Sequence, residues 1–354
     1  MATAEELRRA REASLIFQAA LVAYGIDTVA DSYELWDDVQ PVPRAVQSSG
    51  VRWFQRIMDA TLFRHRRARS VALAYYRYHR ALLTGSTIQP DPFAPTGADE
   101  SRGNPTLANL RDEFYDSIEG LVPDLLNEDR ELVNQDTGEV TTEAPADNDQ
   151  PIQVDALPEF DDILQDLEGR AESEAEGELL NTGLLNLEAL IREVDDSLPA
   201  AEVDEIRESA HAQAGARQSA AAERVALSGA RDLVTEVAKV DPKVIGYVRV
   251  SSTGTPCGWC AMLISRGAVY RSSESAGRSR TKLQAERDEG DTFHPNCKCY
   301  VEPIYAPEQY DSDDRFDLNR QLLEDWKRVT KNVSGKKVLP AWRRFIRARN
   351  AQSR

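Results

Sequence analysis

The side chains with the most chemistry to offer sit close together. All four cysteines and one of the four histidines occur as Cys257-Gly-Trp-Cys260 and, after 33 intervening residues, His294-Pro-Asn-Cys297-Lys-Cys299. A Cys-x2-Cys pair can seat two sulfurs on one cation from a tight knuckle, and a His-x2-Cys or Cys-x-Cys group can complete the tetrahedron. Thiolate and imidazole donors suit Zn²⁺. A shell filled by four protein ligands is structural, because no position is left for a reacting water. Five candidates, Cys257, Cys260, His294, Cys297 and Cys299, compete for four positions. Cys257 and Cys260 are the firmest pair, and one of the other three is spare. Three further readings stay open: disulfides, which suit an oxidising compartment; a redox-active Cys257/Cys260 pair, which lacks a thioredoxin-like βαβ series around it; and plain buried thiols.

Little else in the chain points to chemistry. His65 and His79 fall on a basic helical stretch and His211 on an Ala-rich one, where packing or surface roles are the ordinary reading. There is no Gly-rich phosphate loop and no Gly-x-Ser-x-Gly elbow. No catalytic residue can be assigned.

The elements that must position the cysteines read as mainly α: long helices, with a small α+β Cys/His module near the C-terminus. Residues 3–24 and 44–83 show helical apolar spacing, the second with Trp53, Phe54, Ile57, Met58 and Leu62 on one side and Gly85 as its stop. Residues 85–105 are Pro- and Gly-rich, a short helix is predicted over 107–121, and residues 134–158 are too acidic and too poor in large apolar side chains to pack, which predicts a mobile or extended insert. Helical stripes resume over 159–239, with Ser197 a candidate cap before Pro199. Strands are predicted at 244–250, 268–271 and 299–305. Leu318, Leu322, Trp326 and Val329 make a last long stripe, and Pro340 begins a short basic helix. At 354 residues the chain is long enough for about two domains. Its composition divides it into an N-terminal helical region (1–84), a linker with a short helix and acidic insert (85–158), a second helical region (159–240), the Cys/His module (241–307) and a basic helical tail (308–354).

The net charge of −17 is unevenly spread. Residues 44–80 hold nine Arg against one acid, residues 91–208 hold 34 acids against six Arg, and residues 315–354 hold twelve Lys or Arg against three acids. Such asymmetry suggests contact with nucleic acid or protein surfaces, set against the plainer reading of solvated helix faces. Lys336, Lys337, Arg343, Arg344, Arg347 and Arg349 make the tail a candidate contact for double-stranded DNA or an acidic partner, while Trp342 and Phe345 could anchor it on protein instead. The longest apolar run, 14–26, is interrupted by Gln18 and reads as a buried helix, not a membrane span. With no signal-like h-region at the N-terminus, a cytosolic product is expected.

Several of these features occur together in one known family. Arg249-Val250, Cys257/Cys260, Ser265 to Tyr270, Ser275 to Gly277 and His294/Cys297/Cys299 in combination resemble the phage Mu protein F-like minor capsid (head morphogenesis) proteins of tailed actinobacterial phages. The match is closest over roughly 65 residues, and the acidic insert has no counterpart in it. The resemblance implies a low-copy virion protein, made in the host cytoplasm and built into the capsid interior, with portal, capsid and scaffold proteins and packaged DNA as partners, and neither a membrane nor a small-molecule substrate. Relatives are sometimes labelled capsid maturation proteases, so a protease acting on scaffold or capsid protein is the alternative, and a thiol oxidoreductase the second alternative. No catalytic residue carries over from the resemblance.

Overall fold

The computed structural model describes residues 2–42, 49–93, 104–121, 132–133, 140–141, 150–195, 197–269, 297 and 299–352. The fold is mainly helical with a small two-stranded sheet in the cysteine module, as the sequence predicts.

Three long helices form the frame. Helix α1 (Ala4–Trp36) opens on a capping box in which Thr3 and Glu6 satisfy each other's backbone N–H groups. It runs twelve residues beyond the predicted end at residue 24, and Gly25 is buried within it. By length and composition α1 is apolar enough to cross a membrane, but more than half of that apolar window is buried against the rest of the chain. Helix α2 (Gly50–Thr84) closes where Gly85 adopts a left-handed conformation (φ 72°) and donates its N–H to the Ala81 carbonyl. Beyond it lie β1 (Ser86–Ile88), α3 (Leu107–Ser117), which starts on a Thr106/Asn109 capping box, and the short strands β2 (Leu132–Val133), β3 (Val140–Thr141) and β4 (Gln153–Asp155). Strand β4 pairs in parallel with β1, and β2 with β3 antiparallel. Of the predicted insert at 134–158, residues 134–139 and 142–149 lie outside the described residues.

Helices α4 (Phe160–Thr182) and α5 (Leu184–Arg192) meet at Gly183, where a Cβ would lie 2.8 Å from the Trp53 ring. Helix α6 (Ala200–Val240) follows Pro199, which takes the cap position expected of Ser197. Its small residues allow close helix approach, and Trp36 of α1 lies over Gly215. One core cluster joins α1, α2, α3, α6 and the C-terminal module; a second gathers Trp36, Trp53, Ile57, Leu179, Leu187 and Val225.

Strands β5 (Gly246–Ser251) and β6 (Cys299–Ile304) form an antiparallel pair in which every residue is buried. Helix α7 (Gly258–Ile264) follows β5. The strand expected at 268–271 does not form over its described part. Gly267–Val269 is a 3-10 turn that starts at Gly267 in a left-handed conformation (φ 63°), which breaks the extended backbone a strand needs, and residues 270–271 lie outside the described residues. The chain ends with α8 (Pro307–Ser312), α9 (Asp317–Thr330), a 3-10 turn at Gly335–Lys337 and α10 (Val338–Gln352).

Candidate functional site

Strand alternation explains how the module faces two ways. Successive side chains point to opposite faces of the sheet. The register pairs Arg249 with Val301 and Ser251 with Cys299, which places these four on one face; Val248 with Glu302 and Val250 with Tyr300 occupy the other. The first face carries the cysteines, and the second docks onto the long helices.

On the cysteine face, the Sγ atoms of Cys260, Cys297 and Cys299 lie within 4.8 Å of one another, and all three residues are buried. Cys260 and Cys297 are 3.5 Å apart. A tetrahedral cation with metal–sulfur bonds of about 2.3 Å places its sulfurs about 3.8 Å apart, so the spacing and softness of these donors fit Zn²⁺. Three different segments supply them: α7, the residues before β6, and β6 itself. Cys257 caps the N-terminus of α7, is exposed, and stands outside the group of three; its Sγ accepts the Cys260 N–H at 3.4 Å. His294 lies outside the described residues. No disulfide joins any of the four cysteines among the described residues.

Arg249 reaches into the trio. Its side chain is 1% exposed, and Nη2 donates to Cys297 Sγ (3.5 Å) and Cys260 Sγ (3.6 Å). Burial alone would lower the pKa of this guanidinium, but Cys299, Cys260 and Cys297 around it hold it above its ordinary value. Arg231 of α6 donates to the Cys297 carbonyl. Hydrogen bonds with Cys257, Cys297 and Cys299, together with burial, push the Cys260 thiol up. In the absence of a cation the thiol is therefore the stable form, and a divalent ion would bind by displacing protons. Asn319 of α9 fastens this face, donating to the carbonyls of Arg249 (2.9 Å) and Ile264 (3.2 Å).

The opposite face centres on Glu302, which is 1% exposed. Its carboxylate accepts from Ser14 Oγ (3.0 Å) of α1, Tyr75 OH (3.2 Å) of α2 and Arg315 Nη1 (2.6 Å), and His79 Nε2 lies 3.4 Å away. Burial keeps the His79 pKa well below its ordinary value. The group is sealed among aromatic rings, Phe17 stacking on Tyr75 at 4.2 Å, so it fastens elements together and offers no cleft. The sequence reading missed Arg249 and Glu302 as functional positions, although each is a lone charge within an apolar strand run, GYVRVS and CYVEPI.

The two basic stretches differ in their use. On α2, Arg64 pairs with Asp31, Arg66 and Arg69 with Glu168, Arg77 with Glu113, and Arg80 with Asp241. Much of that charge is spent inside the molecule, partly on the acidic middle. On the tail, Lys336, Lys337, Arg343, Arg344 and Arg347 are exposed, Arg349 is half-buried, and no carboxylate among the described residues pairs with the first five. Helix α10 is fixed from below: Trp342 and Ile346 are buried, Trp342 meets Trp326 of α9 edge-on at 5.1 Å, Asn350 donates to the Pro256 carbonyl, and Arg343 packs over Gly258.

The class defined by this fold and site is a helical protein bearing a small cysteine-rich α+β module. A family described as VG15 protein matches residues 186–324, from α5 through most of α9, and so includes the cysteine module. The chain is similar to the Gene 15 protein of Mycobacterium phage D29, at 32% identity over 106 residues, covering 24% of this chain and 38% of that protein. It is also similar to the Gene 15 protein of Mycobacterium phage L5, at 29% identity over 131 residues, covering 29% of this chain and 44% of that protein. The chain thus spans less than half the length of either relative. No solved structure matches it. These likenesses support a protein of actinobacterial phages.

Proposed function

We propose that this chain is a minor capsid, or head morphogenesis, protein of a tailed actinobacterial phage, of Mu protein F-like type, with a structural and interaction role near the portal and capsid interior. Its partners in this reading are portal, capsid and scaffold proteins and packaged double-stranded DNA. The observation that carries it is the mounting of α10. A helix with an exposed basic face is bolted through Trp342, Ile346 and Asn350 onto a module whose buried cysteines fit a structural Zn²⁺. Likeness to the Gene 15 proteins of two mycobacteriophages, together with a VG15 match that includes the module, supports the virion setting. A rigid mount with a cationic face suits sequence-independent contact with phosphates, which neutralise such charges whatever the bases.

The test is binding of the full chain to a random-sequence duplex, read by fluorescence anisotropy at about 50 and about 200 mM salt, where phosphate contacts differ most. Binding should weaken steeply between the two and fall strongly when Lys336, Lys337, Arg344 and Arg347 are all changed to Gln. Binding that the fourfold variant leaves unchanged overturns the DNA contact. Co-expression with the scaffold and capsid proteins, read by mass spectrometry, addresses the head role: co-purification with intact partners supports it, and cleaved partners transfer the assignment to the maturation protease.

A further inference from the structure

We propose that the metal centre is a four-sulfur site built from Cys257, Cys260, Cys297 and Cys299, and that Arg249 is the charge-balancing residue that makes so many thiolates tolerable in the interior. The inference rests on the structural-metal reading above and specifies its ligands.

The first argument is geometric. Three sulfurs already surround one point, which leaves a single position to fill. Cys257 sits at the cap of the helix that carries Cys260, and its Sγ accepts the Cys260 N–H at 3.4 Å. A backbone N–H donated to sulfur favours the thiolate over the thiol. The knuckle backbone thus already brings Cys257 beside Cys260, which makes it the described cysteine placed to fill the fourth position.

The second argument is electrostatic. Four thiolates and one divalent cation leave a double negative charge; three thiolates and an imidazole leave a single one. Buried charge of this size is stable only when opposed and hydrogen-bonded. Arg249 donates to two of the sulfurs at 3.5 and 3.6 Å, and Arg231 donates to the carbonyl of Cys297. Two guanidiniums thus stand against the site, matching the double charge of the four-sulfur set. The position of Arg249 also explains a charge in mid-strand β5: from residue 249 the side chain points to the face that carries Cys299.

The experiment is anaerobic titration of the full chain with Co²⁺, whose sulfur-to-cobalt charge-transfer absorption scales with the number of bound thiolates, followed by competition with Zn²⁺. The wild type should take up one ion with a four-thiolate spectrum. Cys257→Ser should lose about a quarter of the charge-transfer intensity, and His294→Ala should leave the spectrum as it was. Arg249→Met should weaken metal binding about tenfold or more, as loss of groups that hydrogen-bond ligands does, and Arg249→Lys should recover part of the loss; circular dichroism confirms that each variant is folded. A spectrum unchanged in Cys257→Ser and reduced in His294→Ala overturns the ligand set. Unaltered affinity in a folded Arg249→Met overturns the charge-balancing role. Absence of any Co²⁺ or Zn²⁺ uptake by the wild type is a different failure, since it removes the structural-metal reading itself.

Discussion

Gly229 of α6 faces the main-chain carbonyl of His65 on α2, and a Cβ built on the glycine would lie 2.2 Å from that oxygen. The obstacle is backbone, which no rotamer change relieves. The two longest helices approach this closely because α6 offers small side chains there. Gly229→Ala should therefore push α6 from α2 and destabilise the protein by about 1–3 kcal/mol, the usual cost of overpacking. The check is the midpoint of urea denaturation against Ser228→Ala, a neighbour outside the contact.

Glu302 and Arg315 form an ion pair at 2.6 Å with side chains 1% and 2% exposed. Removing one partner leaves the other charged and enclosed, which costs about 3–5 kcal/mol, whereas removing both can be nearly neutral. Glu302→Leu should therefore loosen the module from α1 and α2 by that amount, and the double change Glu302→Leu with Arg315→Met should lose less than the sum of Glu302→Leu and Arg315→Met alone. A double-mutant cycle on denaturation midpoints measures this; additive losses would contradict it.

The same strands show what the sequence could and could not disclose. Periodicity is a local property, so the long helices and both strands of the module were legible within a few residues. The end of α1 was not. Its last turns are held by Trp36, buried against Trp53 and Gly215, contacts made far along the chain. Clustering of cysteines was legible from spacing, which put Cys257 beside Cys260; that Cys260 also lies within 4.8 Å of Cys297 and Cys299 depends on strand pairing that spacing does not encode. The partners of Glu302 were out of reach, because Ser14 lies 288 positions away in sequence. The basic stretch of α2 was ambiguous for the same reason: whether an arginine faces solvent or Glu168 depends on a helix about a hundred residues later.

His65 gives the stability a specific pH dependence. Burial lowers its pKa to about 4, below the ordinary value of 6.5. Between these values the unfolded chain binds a proton that the folded one does not, so stability falls as pH drops through 6.5 and the loss is complete below about 4. A difference of this size is worth on the order of 3 kcal/mol. Denaturation midpoints of the wild type and His65→Leu, followed from pH 7.5 to 4, should converge or cross as the wild type loses this increment and the variant does not. Parallel curves would place the histidine outside the acid response.

Trp342 separates the two roles of the C-terminal helix. It is fully buried, meets Trp326 edge-on and stacks on Phe345, while Arg344 and Arg347 on the same helix are exposed. Trp342→Ala should cost about 3–5 kcal/mol, as large aromatic deletions from a core do, and truncation before residue 338 should destabilise the cysteine module that Asn350 and Arg343 help to cover. Exposed substitutions such as Arg344→Gln and Arg347→Gln should stay within about 0.5 kcal/mol of the wild type. Thermal melting of the three kinds of variant tests this order. If it holds, lost duplex binding in the charge variants reports on the basic face itself, because the mount beneath it is intact.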